Sequence, residues 1–215
     1  MVDLPSGPLA EVDLEFQKMA LETGGLTFGL PGTTVREKLL QVTAHDICRG
    51  HLELAFTMHI TALNMHGVPY ADMLALIRFV APYAGYPAAA DALGRIAQVA
   101  AELGLDTTPG PSRVAEGSPG VAWPVSDPWL AEFLASRTGR AWSEERLSVR
   151  ERAFVALTAH IARSSFGESF RTHVALALRV AGQDDVRDAV RFTAETSVTD
   201  AAAALEALEQ ALAAA

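Results

Sequence analysis

Shifted by 114 residues against itself, the chain comes into register without a gap from Asp13 to about His66. Asp13 falls on Asp127, Gly25 on Gly139, Val35-Arg36-Glu37 on Val149-Arg150-Glu151, Phe56 on Phe170 and His59 on His173. Conservative matches fill the space between: Phe28 with Trp142, Thr34 with Ser148, Ile60 with Val174. A one-residue gap then keeps Arg78-Phe79 aligned with Arg191-Phe192. A fixed shift held over so many positions is the mark of an internal duplication, and it restricts the fold to two copies of one unit. Residues 1–104 form the first copy and 126–215 the second. The stretch between them, 105–125, is rich in Pro, Gly and Ser and reads as a connection.

Within each copy the pattern is helical. Leu52, Ala55, Phe56, His59, Ala62, Leu63 and His66 follow the i, i+3, i+4, i+7 spacing of one helix face. Thr34-Val-Arg-Glu37 and Ser148-Val-Arg-Glu151 each fit a capping box, in which hydroxyl and carboxylate satisfy the free N–H groups of a helix start. Gly50 separates a helix over 35–48 from one over 52–66; 72–83 and 87–103 make two more, and the alanine-rich tail a terminal one. No stretch alternates as a strand would. The expected fold is all-α, two tandem helical copies forming a pseudo-dimer.

With 50% hydrophobic and 20% charged residues the chain can bury a substantial core. Its formal charge of −9 repels a phosphate backbone, and Lys and Arg are scattered, so no nucleic-acid partner is expected. No uncharged apolar run reaches the ~18 residues of a membrane span. A single cysteine forms no internal disulfide, and acids occupy the N-terminal stretch where a signal peptide would be basic and then apolar; a cytoplasmic protein is expected.

The stretch Val42 to Gly67 holds four of the six histidines and the only cysteine. It contains no HExxH and no paired CxxC, and His59 and His66, seven apart, lie roughly 10 Å from each other along a helix axis. No metal ligands are expected from it. Cys48, near His51, is either an activated single thiol or a small core hydrophobe. His59 stands out because it recurs as His173 at the centre of an apolar face while its neighbours have drifted. His45, His51, His66 and His160 do not recur. Of these, His51 and the neighbouring Glu53 sit at a helix start, where each could serve a site.

Arg36-Glu-Lys-Leu, the helix through Glu53-Leu-Ala-Phe-Thr-Met-His59, Asn64-Met-His-Gly-Val-Pro and above all Ala81-Pro-Tyr-Ala-Gly-Tyr-Pro87 resemble the carboxymuconolactone decarboxylase family, whose fold is that of the alkylhydroperoxidase D-like proteins. The resemblance covers Asp13 to Leu103 and, more weakly, Asp127 to Leu208. The second copy, reading Ala194-Glu-Thr-Ser-Val-Thr-Asp200 where the first has Ala81 to Pro87, is the more degenerate. The dithiol of the peroxidase branch is replaced by Leu52 and Ala55. The glutamate of the decarboxylase branch, four before the histidine, is also Ala55, with Glu53 displaced by two and Glu168 standing five before His173.

The resemblance implies a cofactor-independent lyase (decarboxylase) or isomerase acting on a small carboxylated or lactone-type molecule, not a dithiol peroxidase. His59 would be the acid-base group, with His51 or Glu53 as its orienting or second proton-transfer group. Tyr83, Tyr86, Cys48 and His173 would shape the substrate pocket. A homo-oligomer, a trimer of pseudo-dimers, is implied as well. Two other readings stay open: a catalytically silent scaffold or small-ligand binder, and single-thiol redox chemistry through Cys48.

Overall fold

A computed structural model describes residues 9–108, 110, 123 and 125–213, and the described residues contain helices and no strand. The fold is all-α. In chain order the helices are α1 (Leu9–Val12), α2 (Leu14–Phe28), α3 (Val35–Arg49), α4 (Leu54–Met65), α5 (Tyr70–Ala84), α6 (Tyr86–Leu103), α7 (Pro128–Trp142), α8 (Val149–Ala162), α9 (Glu168–Ala177), α10 (Gln183–Phe192) and α11 (Val198–Ala213). A short 3₁₀ turn, Thr193–Glu195, joins the last two. Most of the expected connection, namely 109, 111–122 and 124, lies outside the described residues. No helix among them is long and apolar enough to cross a membrane.

The four helices expected in the first copy form within two residues of the expected bounds, for identifiable local reasons. Both capping boxes are made: Thr34 Oγ1 accepts from the Glu37 backbone N–H at 3.1 Å while the Glu37 carboxylate accepts from Thr34 N–H at 2.7 Å, and Ser148 and Glu151 repeat this at 3.1 and 2.6 Å. Gly50 ends α3 at φ 72°, a left-handed conformation that a β-carbon would strain.

The two capped helices, α3 and α8, pack against each other at the centre of the molecule and are buried along most of their length. Their starts are tied crosswise. Arg36 Nε donates to Glu151 Oε1 at 2.6 Å and Arg150 Nε donates to Glu37 Oε1 at 2.7 Å, so that residues 114 apart make reciprocal contacts. Around this pair a continuous core runs from Leu39, Leu40 and Phe56 through Phe79 and Val80 to Phe154, Phe170 and Val190.

Lys38 is fully buried on α3, and its ammonium donates to three backbone carbonyls, those of Phe28 at 2.9 Å, Leu30 at 2.6 Å and Thr33 at 2.9 Å. All three N–H donors are therefore used on the chain that leaves α2 and enters α3. The long charged residue ties down a loop that has no regular hydrogen-bond ladder of its own.

Candidate functional site

The αα-hairpin of α3 and α4 brings Asp46 and His59 together across the interface between the two helices. His59 Nδ1 lies 2.5 Å from Asp46 Oδ2; the Asp46 carboxyl is almost fully buried, whereas the imidazole keeps 22% of its side chain exposed. Nε2 of His59 makes no hydrogen bond among the described residues. In the neutral form of the ring, a carboxylate on Nδ1 keeps the proton on that nitrogen and leaves the lone pair to Nε2. Burial raises the pKa of Asp46, an effect that the bond to His59 partly offsets. The arrangement is that of a base whose ring is oriented by a carboxylate behind it.

The helix end beside this pair is closed by a Schellman-type turn. His51 N–H donates to the Asp46 carbonyl at 2.9 Å, and Gly50 N–H reaches Ile47 O at 3.3 Å. This folds His51 back towards Asp46, five residues earlier. His45, Asp46 and His51 each offer a donor atom within 4.8 Å of the others, and the His45 and His51 rings stand 6.1 Å apart. His45 is 3% exposed, and burial pushes its pKa down to about 4.

The other expected site residues fall in four places. Glu53 projects into solvent, its side chain 92% exposed, with Arg95 4.0 Å away; it makes no hydrogen bond to His59. The acid partner sought along α4 is on α3 instead. Cys48 is buried, and burial pushes its thiol up to about 12, the opposite of an activated thiolate. Tyr86 is exposed on the wall of a cavity of about 500 Å³ between α5, α6 and α7, shared with Arg78, Arg137, Arg140 and Glu144; His59 does not line it.

Tyr83 on α5 and His173 on α9 do meet, and neither contacts His59. Trp142 Nε1–H donates to Tyr83 Oη at 2.8 Å, and the Tyr83 hydroxyl lies 3.0 Å from His173 Nε2. Nδ1 of His173 is 2.7 Å from the Ser169 carbonyl and 3.1 Å from His160 Nε2. The carbonyl can only accept, so His173 carries its proton on Nδ1 and takes the Tyr83 O–H at Nε2. Rings of Trp123 and Trp142 close around the pair at 6.0 Å each from His173. Burial pushes the His160 pKa down to about 3 and that of His173 downward as well, so both imidazoles are neutral.

His160 lies 114 residues after Asp46, and His173 the same distance after His59. The two positions touch in both halves, as carboxylate and imidazole in one and as two imidazoles in the other. That correspondence was the available signal for Asp46, since a titratable residue stands at the matched position in each copy. In comparisons with known proteins, no family model matches this chain and no curated protein sequence does.

Proposed function

We propose that the protein is a proton-transfer enzyme, a lyase or isomerase acting on a small carboxylated or lactone-type molecule, with His59 as its acid-base group and Asp46 as the positioning residue behind it. The observation that carries this reading is the 2.5 Å contact between a buried carboxylate and a partly exposed imidazole with Nε2 unbonded. The resemblance to carboxymuconolactone decarboxylases supports the same residue. Loss of carbon dioxide next to a conjugated system leaves a carbanion-like centre that needs a proton, and isomerisation needs one removed and returned. Both suit an imidazole held in place by a carboxylate. Single-thiol chemistry has no comparable support, given the buried Cys48.

The test is a panel of small lactones and unsaturated carboxylates, screened by thermal shift and followed by product detection. His59→Gln should lower turnover by about a hundredfold or more, the usual range for a general acid-base group, with the helical circular dichroism unchanged. His66→Gln, at the exposed C-cap of α4, should behave as the parent chain. Equal turnover in His59→Gln and the parent would remove the proposal.

One observation favours a second reading, a small-ligand binder without turnover: the cavity beside Tyr86, with two arginines on α7, lies apart from His59. Ligands that stabilise the chain and yield no product would support it.

We also read the chain as two copies of one unit that assembles further into a trimer. The crosswise arginine–glutamate pairs support the duplication. Large exposed apolar side chains on α2 (Leu14, Phe16, Met19) and α7 (Trp129, Phe133) support assembly. Light scattering on a sizing column should give three times the 22.8 kDa chain mass; a monomer at micromolar concentration would contradict it.

A further inference from the structure

His45 is an anomaly in a well-satisfied core. It is 3% exposed, and neither of its ring nitrogens has a hydrogen-bond partner. A buried polar group left unpaired loses its bonds to water without replacement, so such groups are rare and call for an explanation. The neighbouring side chains supply one. The Schellman-type closure at Gly50 turns His51 back over the end of α3, and His45, Asp46 and His51 then hold one donor atom each within 4.8 Å of one another.

We propose that His45, Asp46 and His51 form a binding site for a divalent transition-metal ion of the zinc class, with His59 hydrogen-bonded to the far side of the Asp46 carboxylate. Two imidazoles and one carboxylate are the donor set of such ions; magnesium and calcium take oxygen ligands almost throughout. Three protein donors leave a tetrahedral ion one position for water or a ligand, the pattern of reactive rather than purely structural sites. Asp46 spends Oδ2 on His59 and has Oδ1 for the ion, as ligating carboxylates and histidines commonly share an outer hydrogen bond. Donors at about 2.1 Å from a tetrahedral ion stand roughly 3.4 Å apart. The ion must therefore draw the set inward, and His51, exposed and on the loop between α3 and α4, is the member free to move. The nearby cation, Arg49, is held by Asp200 at 2.6 Å. Ligands strung along one straight helix could not converge on an ion at this spacing. A helix end folded back on itself brings together residues five and six apart that no straight helix aligns.

The proposal stands apart from turnover and is read without it. The full chain, stripped with a chelator and dialysed, is titrated with zinc by calorimetry and with cobalt(II) by visible absorption. The expected result is one ion per chain, a d–d spectrum of four-coordinate intensity, and a rise in melting temperature with zinc. His51→Ala, at an exposed position, should weaken binding by about a hundredfold or more, at least the loss typical of an outer-sphere partner, and should abolish the melting-temperature rise. His45→Leu should do the same while melting, in chelator, no lower than the parent, since it removes the unpaired nitrogens. His66→Gln should bind as the parent does. Absence of saturable binding in the parent overturns the proposal, as does unchanged affinity in both His51→Ala and His45→Leu. A chain that binds cobalt stoichiometrically but shows no loss of turnover in His59→Gln keeps this site and loses the acid-base reading; the reverse pattern does the opposite.

Discussion

Lowering the pH from 7 to 4 should destabilise the protein by several kcal/mol, and the loss should begin near pH 6.5, well above the carboxylate range. Its source is His160. Burial pushes its pKa in the fold down to about 3, from about 6.5 in an unfolded chain. Below pH 6.5 the unfolded state takes up a proton that the folded state refuses, so stability is complete above that pH and declines as pH falls towards 3. The slope is about 1.4 kcal/mol per pH unit for each such group. His173, shifted in the same direction by the same cause, adds to it, as does His45, pushed down to about 4. Urea unfolding at pH 7, 6, 5 and 4 measures the slope. His160→Leu should flatten it, because His173 Nδ1 still has the Ser169 carbonyl to bond. Identical slopes in the parent and in His160→Leu would show that the acid response comes from elsewhere.

Lys38→Met should cost about 4 kcal/mol of stability, more than most single substitutions. Methionine keeps the apolar stem and removes only the ammonium, so packing is nearly preserved. What is lost is the partner of three carbonyls, on Phe28, Leu30 and Thr33. Each buried acceptor left unpaired costs about 1–3 kcal/mol. Desolvation works the other way: burial lowers the Lys38 pKa, so the charge itself is held at some expense, and removing it returns part of the loss. The net value follows from three orphaned acceptors against one relieved desolvation. The drop in urea midpoint checks it, and a loss under about 1 kcal/mol would mean that water replaces the ammonium at those carbonyls. Zinc and cobalt binding at His45, Asp46 and His51 should be unaffected.

Periodicity and end signals carried the helices: the segments read at 35–48, 52–66, 72–83 and 87–103 appear as Val35–Arg49, Leu54–Met65, Tyr70–Ala84 and Tyr86–Leu103. Local rules suffice there because a capping box and a left-handed glycine act within one turn. The site was less legible. The sequence points to Glu53 and His51, a few residues away, as partners of His59, whereas the hairpin delivers Asp46 from thirteen residues upstream on the opposite helix. Spacing along one helix says nothing of the contact between two. Tyr83 and Tyr86, near neighbours in sequence, part company for a related reason. Gly85 ends α5 at φ 97° and starts α6, so Tyr83 turns into the interior beside Trp142 while Tyr86 faces the cavity. Burial without a partner, as at His45, is invisible until the neighbours are placed.

The crosswise tie between Arg36, Glu151, Arg150 and Glu37 joins two stretches of one polypeptide as a twofold axis joins two subunits. An assembly of identical subunits must change both of its equivalent positions with every mutation. A single chain carrying both versions is released from that constraint. Here the positions that differ are those of Asp46 and His59 and of His160 and His173: one pair leaves its imidazole partly exposed, the other is sealed among tryptophans and kept neutral. The seam thus holds together two unlike pairs at matched positions, one within reach of solvent and the other closed to it.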